Sequence, residues 1–178
     1  MNEQPPSSIA TNNESLLLLV TGGTLDKNYD AISGELNFST THLPQILSQA
    51  NITLDLSIET LMLKDSLEMT QTDREYIAET CVKAAQTRIL ITHGTDTMTE
   101  TADYLSSIGQ LSGKTLVLTG AMRPFMLGDS DASFNLGAAI MAANLSSNGV
   151  YIVMNGMRFD ANNVRKNKLL GEFERLRR

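Results

Sequence analysis

A chain of 178 residues has the size of one ordinary domain, large enough to hide roughly 70% of the extended chain's surface and to build a core without disulfide or metal staples. With 42% hydrophobic and 19% charged residues and a formal charge of −6, the composition excludes a disordered chain and any helix with the ~20 consecutive apolar residues a membrane span needs. It also lacks the basic excess of a nucleic-acid or anionic-membrane binder, which leaves small molecules or protein as the expected partners.

One cysteine, Cys81, and two histidines, His42 and His93, rule out an internal disulfide and a thiolate-rich zinc site, and a reducing cytoplasm is the expected compartment. Residues 1–15 are polar, without Lys or Arg, and read as a disordered leader rather than a signal peptide. No linker or repeat divides residues 16–178, so one domain is expected there.

Strands are predicted at Leu16 to Thr21, Thr53 to Leu63, Arg88 to Thr92, Lys114 to Thr119 and Gly149 to Asn155. Three are near-continuously apolar, as parallel strands covered on both faces are. A short helix over Pro44 to Ala50 carries its proline in the first turn. Thr72-Asp73-Arg74-Glu75 and Thr97-Met98-Thr99-Glu100 have capping-box spacing and mark two helix starts. The first of these helices repeats Ile77, Cys81 and Ala84 or Ala85 on one face, which makes Cys81 core, and the second ends near Gly109. A further helix from about Ala132 to Ser146 aligns Phe134, Ala138, Met141 and Leu145, read as packing, and stops at Asn148-Gly149.

Strands alternating with helices predict an α/β fold, a doubly wound three-layer sandwich with a mainly parallel sheet, in which ligands bind outside the carboxyl ends of the strands. That rule singles out Thr21-Gly22-Gly23-Thr24, Lys64-Asp65-Ser66-Leu67-Glu68, His93-Gly94-Thr95-Asp96-Thr97, Gly120-Ala121-Met122-Arg123-Pro124 and the stretch from Asn155 to Lys168. Gly22-Gly23 lets backbone approach a ligand and presents Thr24, or is a plain turn; it is followed by neither pattern of a phosphate loop. In the second segment Ser66 is a turn residue or a ligand. Thr95, Asp96 and Thr97 are the residue types of a helix cap, yet three exceed what one helix start needs. His93 is open to two readings, a base or a buried histidine donating to a nearby carbonyl. Lys166 reads as part of a solvated basic run, or as an amine that activates a threonine hydroxyl in a partly dry pocket. Arg123 is expected to pair with the acidic stretch Gly128-Asp129-Ser130-Asp131, with Ser130 or Asp131 capping the next helix.

In chain order, Thr21-Gly22-Gly23-Thr24, Ser66-Leu67-Glu68-Met69, Thr92-His93-Gly94-Thr95-Asp96-Thr97-Met98, Thr119-Gly120-Ala121-Met122-Arg123-Pro124 and Val153-Met154-Asn155 closely resemble the bacterial L-asparaginases. The D subunit of archaeal glutamyl-tRNA amidotransferase shares the scaffold. The resemblance implies a threonine-dependent amidohydrolase of small amides without metal or organic cofactor. Thr24, beside Gly23, matches the family's nucleophile and Tyr29 the tyrosine that polarises it. Thr95, Asp96 and Lys166 match the second hydroxyl-activating set. Ser66 matches the serine that holds the substrate carboxylate, and Asp96 also receives the substrate ammonium. Full-length members add a C-terminal domain that donates an acidic residue to a neighbour's site. This sequence stops at Arg178, so the resemblance extends to the N-terminal catalytic domain, and a homo-oligomer is expected. A binding module that senses an amino acid and a component of an amidotransferase are the competing readings.

Overall fold

The computed structural model describes residues 15–176, so the expected leader lies outside the described residues apart from Ser15. Ten strands and four helices follow: β1 (Leu16–Gly22), β2 (Lys27–Tyr29), β3 (Leu36–Phe38), α1 (Leu43–Gln49), β4 (Leu56–Lys64), α2 (Gln71–Lys83), β5 (Arg88–Thr92), α3 (Met98–Ser106), β6 (Thr115–Thr119), α4 (Ala132–Leu145), β7 (Gly149–Met154), β8 (Met157–Asp160), β9 (Val164–Asn167) and β10 (Glu172–Arg175). The main sheet has six strands in the order β4-β1-β5-β6-β7-β8. Its first five run parallel, and only β8 is antiparallel.

Successive residues of a strand face opposite sides of the sheet, and β1 uses both. Leu17 and Leu19 join Ile77, Cys81, Ile89, Ala102 and Leu105 on the side covered by α2 and α3. Leu16, Leu18 and Val20 join Leu43, Ile46, Leu136 and Ala143 on the side covered by α1 and α4. That two-sided burial explains the unbroken apolar run and yields the expected three layers. Burial pushes the Cys81 thiol up to about 12, which makes it inert core.

Four expectations shift. The capping box sits two residues earlier: the Thr70 hydroxyl accepts from the Asp73 N–H, while the Asp73 carboxylate accepts the Thr70 N–H at 2.7 Å. Thr97 occupies the N-cap position of α3, but its hydroxyl donates to the Ser66 carbonyl instead of capping. The face of α4 read as packing is the outer one. Phe134, Met141 and Leu145 are exposed, whereas Leu136, Ala139, Ile140 and Ala143 are buried; a helix apolar nearly all round gives periodicity little to choose between. Arg123 reaches the carbonyls of Leu127 and Gly128, and Asp131 accepts the Met122 and Arg123 backbone amides, so the expected pair does not form. Strand β8 and the hairpins β2-β3 and β9-β10 had no sequence signal, because elements of three or four residues hold no resolvable period.

Lys64, the last residue of β4, donates to both Asp73 oxygens at 2.8 and 2.7 Å and so ties the strand to the start of α2. That ammonium, with the Thr70 amide and hydroxyl, draws the Asp73 carboxyl down from 3.8 to about 2. A depressed folded pKa gives stability that is complete above the unfolded value and is lost as pH falls toward the folded one. Asp73→Asn should therefore unfold about 1 kcal/mol more easily than the parent at pH 7, and the gap should close between pH 4 and pH 2. Urea melts at both ends of that window check it.

Candidate active site

The loops after β1, β4 and β5 meet at the carboxyl edge of the sheet. Gly23, at φ +86°, has no room for a side chain, because a Cβ there would fall on the backbone of Gly94. Gly94 is equally confined on its other side, where a Cβ would lie 2.5 Å from Ser66 Oγ and 2.6 Å from Ser66 Cβ. Only glycine permits so close a crossing of main chains. Its consequence is positional: Thr24 and Thr95 each follow one of the touching glycines, and Ser66 borders the second.

The edge is fixed by buried hydroxyls and short polar ties. Thr21 donates to the Thr92 carbonyl and Thr119 to the Val153 carbonyl, each at 2.8 Å, which locks the last residues of adjacent strands together. Ser66 is buried and opens a 3-10 turn capped by Asp65, whose carboxylate accepts the Leu67 N–H. Lys27 donates to the same carboxylate at 2.5 Å and joins the Thr24 turn to the Ser66 turn. Asp26 is buried as well, its carboxyl pushed up by that burial, and it accepts the Thr41 hydroxyl and the His42 N–H, closing the root of the β2-β3 hairpin. Sequence reasoning missed Lys27 and Asp26, and gave Asp65 no role although it lay in a singled-out segment. The one available signal was Asp65 just before a turn, a cap residue type; the other two ties span 38 and 16 positions.

Lys166 belongs to β9, where alternation sends Arg165 outward to Glu174 and Lys166 inward. Its ammonium donates to Thr95 Oγ1 and to Asp96 Oδ1, both at 2.7 Å, and its side chain is 9% exposed against 38% for Asp96. Phe173, the cross-strand neighbour of Lys166, is buried in the core, and its N–H donates to Asn155 Oδ1. The loop after β7 thus clamps the hairpin that delivers the lysine.

Thr95, Asp96 and Lys166 are therefore in direct contact, while Thr24, Gly23 and Ser66 are gathered at the glycine crossing. Tyr29 is not joined to them. It ends β2 with 56% exposure, and among the described residues its hydroxyl makes no hydrogen bond. His93 follows the second of its two readings: it is buried, and Nδ1 lies 2.7 Å from the Gly94 carbonyl. Among the described residues no group of three His, Cys, Asp or Glu is arranged to hold a metal, and no helix is long and apolar enough to cross a membrane. What this arrangement offers chemically is several hydroxyl groups, a lysine side chain against one of them, and backbone amides at a tight turn.

Comparison with known proteins agrees with that edge. The family described as "Asparaginase, N-terminal" matches residues 15–171. L-asparaginase 1 of Escherichia coli (strain K12) is 32% identical over 162 residues, 86% of this chain and 47% of that protein. The D subunit of the glutamyl-tRNA(Gln) amidotransferase of Methanococcus vannielii is 36% identical over 166 residues, 87% of this chain and 38% of that protein. The thermostable L-asparaginase from Thermococcus kodakarensis superposes with a TM-score of 0.79 at 28% identity, covering 92% of this chain and 52% of that one. The chain spans about half the length, or less, of the curated relatives it matches. With its fold, the order of its strand-end segments and the matched length all in agreement, the chain belongs to the asparaginase family and corresponds to that family's N-terminal domain.

Proposed function

We propose that the chain is an asparaginase-type amidohydrolase that converts the side-chain amide of L-asparagine, or of a similar small amide, to the acid and ammonia. The observation that carries this reading is the contact of Lys166 with both Thr95 and Asp96 beside the crossing that bears Thr24 and Ser66. Thr24 Oγ attacks the amide carbon, the proton it loses is the one passed to the leaving nitrogen, and backbone N–H groups of the tight turns receive the developing oxyanion. The C–N bond then breaks, the nitrogen leaves as ammonia after gaining a proton, and an acyl-threonine ester remains for water to cleave. Lys166, Asp96 and Thr95, held in contact, take the base, orienter and hydroxyl positions of a triad-like arrangement that activates the Thr95 hydroxyl. Ser66 holds the substrate carboxylate and Asp96 its ammonium, and Tyr29, exposed at the end of β2, is the residue assigned to polarise Thr24. The reaction calls on no metal or organic cofactor, and a reducing compartment such as the cytoplasm suits the single buried Cys81.

A second reading, a component of an amidotransferase, draws on the similarity to the Methanococcus protein. A pure binding module is disfavoured, since recognition of an amino acid needs neither two hydroxyls nor a buried lysine against one of them.

Thr24→Ala should abolish ammonia release while aspartate binding, followed by calorimetry, stays near the parent's; release at the parent rate would end the assignment. Lys166→Met should lower kcat by roughly 100-fold, the scale for losing a proton-transfer partner, and Lys168→Met should leave it unchanged. The reading also includes association of copies, with the exposed Phe134 and Met141 of α4 or the exposed Leu169 and Leu170 after Lys166 as candidate contacts. Light scattering at micromolar concentration should give a dimer or larger assembly, and a fully active monomer would contradict this.

A further inference from the structure

A chain of hydrogen bonds runs from α2 to the glycine crossing, and its direction is fixed at both ends. Arg74, nearly buried on α2, donates from Nε to Thr101 Oγ1 at 3.2 Å. Thr101 Oγ1 lies 2.8 Å from His93 Nε2, and His93 Nδ1 lies 2.7 Å from the Gly94 carbonyl. A guanidinium only donates and a carbonyl only accepts. His93 must therefore carry its proton on Nδ1, and the Thr101 hydroxyl, already accepting from Arg74, donates into the free lone pair of Nε2. Met69 Sδ, 3.0 Å from the same nitrogen, packs against it. Burial, with the Arg74 charge adding to it, pushes the ring down to about 4, so the neutral form persists across the physiological range. With Nε2 already engaged and the ring sealed from solvent, His93 is not placed to accept a proton from substrate.

Among the described residues the chain contains no cis peptide bond, and in a trans peptide the carbonyl and the following N–H point in opposite directions. Turning the Gly94 carbonyl toward His93 turns the Thr95 N–H away from it, and among the described residues that N–H meets no backbone carbonyl. We propose that His93 is a positioning residue, whose grip on the Gly94 carbonyl aims the Thr95 N–H at the oxyanion of the substrate amide. Arg74 and Thr101 serve the same end by fixing the tautomer. Arg74 is held less by Glu100, an exposed partner of the kind worth little, than by its bonds to Thr101 and the Met69 carbonyl.

The inference rests on the amidohydrolase reading, and its test separates the two. Nitrogen-15 spectra of histidine-labelled chain should show His93 protonated on Nδ1 alone from pH 6 to pH 8. His93→Leu should lose roughly 100-fold in kcat with little change in KM, the scale of a donor misplaced by about 1 Å. His93→Asn, whose amide retains a donor at the Nδ1 position, should recover most of that loss and restore the Thr95 amide resonance, and it serves alone if the leucine variant does not fold. A proton on Nε2, a folded leucine variant with parental kcat, or an asparagine variant as impaired as one that cannot donate would overturn the proposal. If the parent chain releases no ammonia, the amidohydrolase reading falls. The oxyanion role falls with it, and the narrower claim that His93 sets the orientation of the Thr95 N–H stands if the Thr95 resonance follows the His93 donor and falls if the resonance is indifferent to it.

Discussion

Main-chain contact between Gly23 and Gly94 is the constraint on which the rest of the edge depends. Parallel strands in one sheet lie about 4.8 Å apart, and the loops leaving their ends ordinarily diverge. Here the loops after β1 and β5 are pressed together with no side chain between them, and Ser66 fills the far side of Gly94. Three hydroxyl residues from three loops are thereby held by backbone geometry rather than by their own flexible torsions. A methyl group at either glycine would have to displace backbone or the Ser66 side chain, which rigid strand ends cannot accommodate. The neighbouring ties, Lys27 to Asp65 and Thr97 to the Ser66 carbonyl, act on the same turns and add to that rigidity.

Lys166 poses the opposite problem, a charge brought toward the interior. Burying an ammonium is costly unless partners replace its water. Two contacts at 2.7 Å, one to a carboxylate that remains partly exposed, supply that replacement and keep the amine against Thr95. The hairpin achieves this with ordinary strand alternation, anchored by Phe173 in the core and by Asn155 through the Phe173 N–H. Scaffold and chemistry are thus joined at a short element that contributes almost nothing to the sheet.

The parallel core was legible because Leu16 to Val20, Leu116 to Leu118 and Val150 to Met154 are apolar on both faces, a pattern few other elements share. Segments at the strand ends followed from the topology once those strands were placed. Roles for Thr95, Asp96 and Lys166 came from family resemblance, since spacing alone left Lys166 in a solvated run and Thr95 among cap residues. The lysine's inward direction depends on a four-residue hairpin strand too short to show alternation. The outer face of α4 was misread because apolar residues occupy both sides of that helix, and only packing against the sheet selects Leu136 and Ala139 over Phe134 and Met141. His93 stayed ambiguous because its partner Thr101 lies on α3 and Arg74, which bonds Thr101, lies on α2, both remote from His93 in local pattern.

The central claim is that these loops form a working amide-hydrolysing site within the 178-residue chain. The most direct measurement is the ammonia and aspartate released when the purified chain is incubated with L-asparagine. The account predicts the two products in equal amounts, with continued turnover after the first equivalent. Saturable binding of aspartate with no ammonia above the uncatalysed background would contradict it.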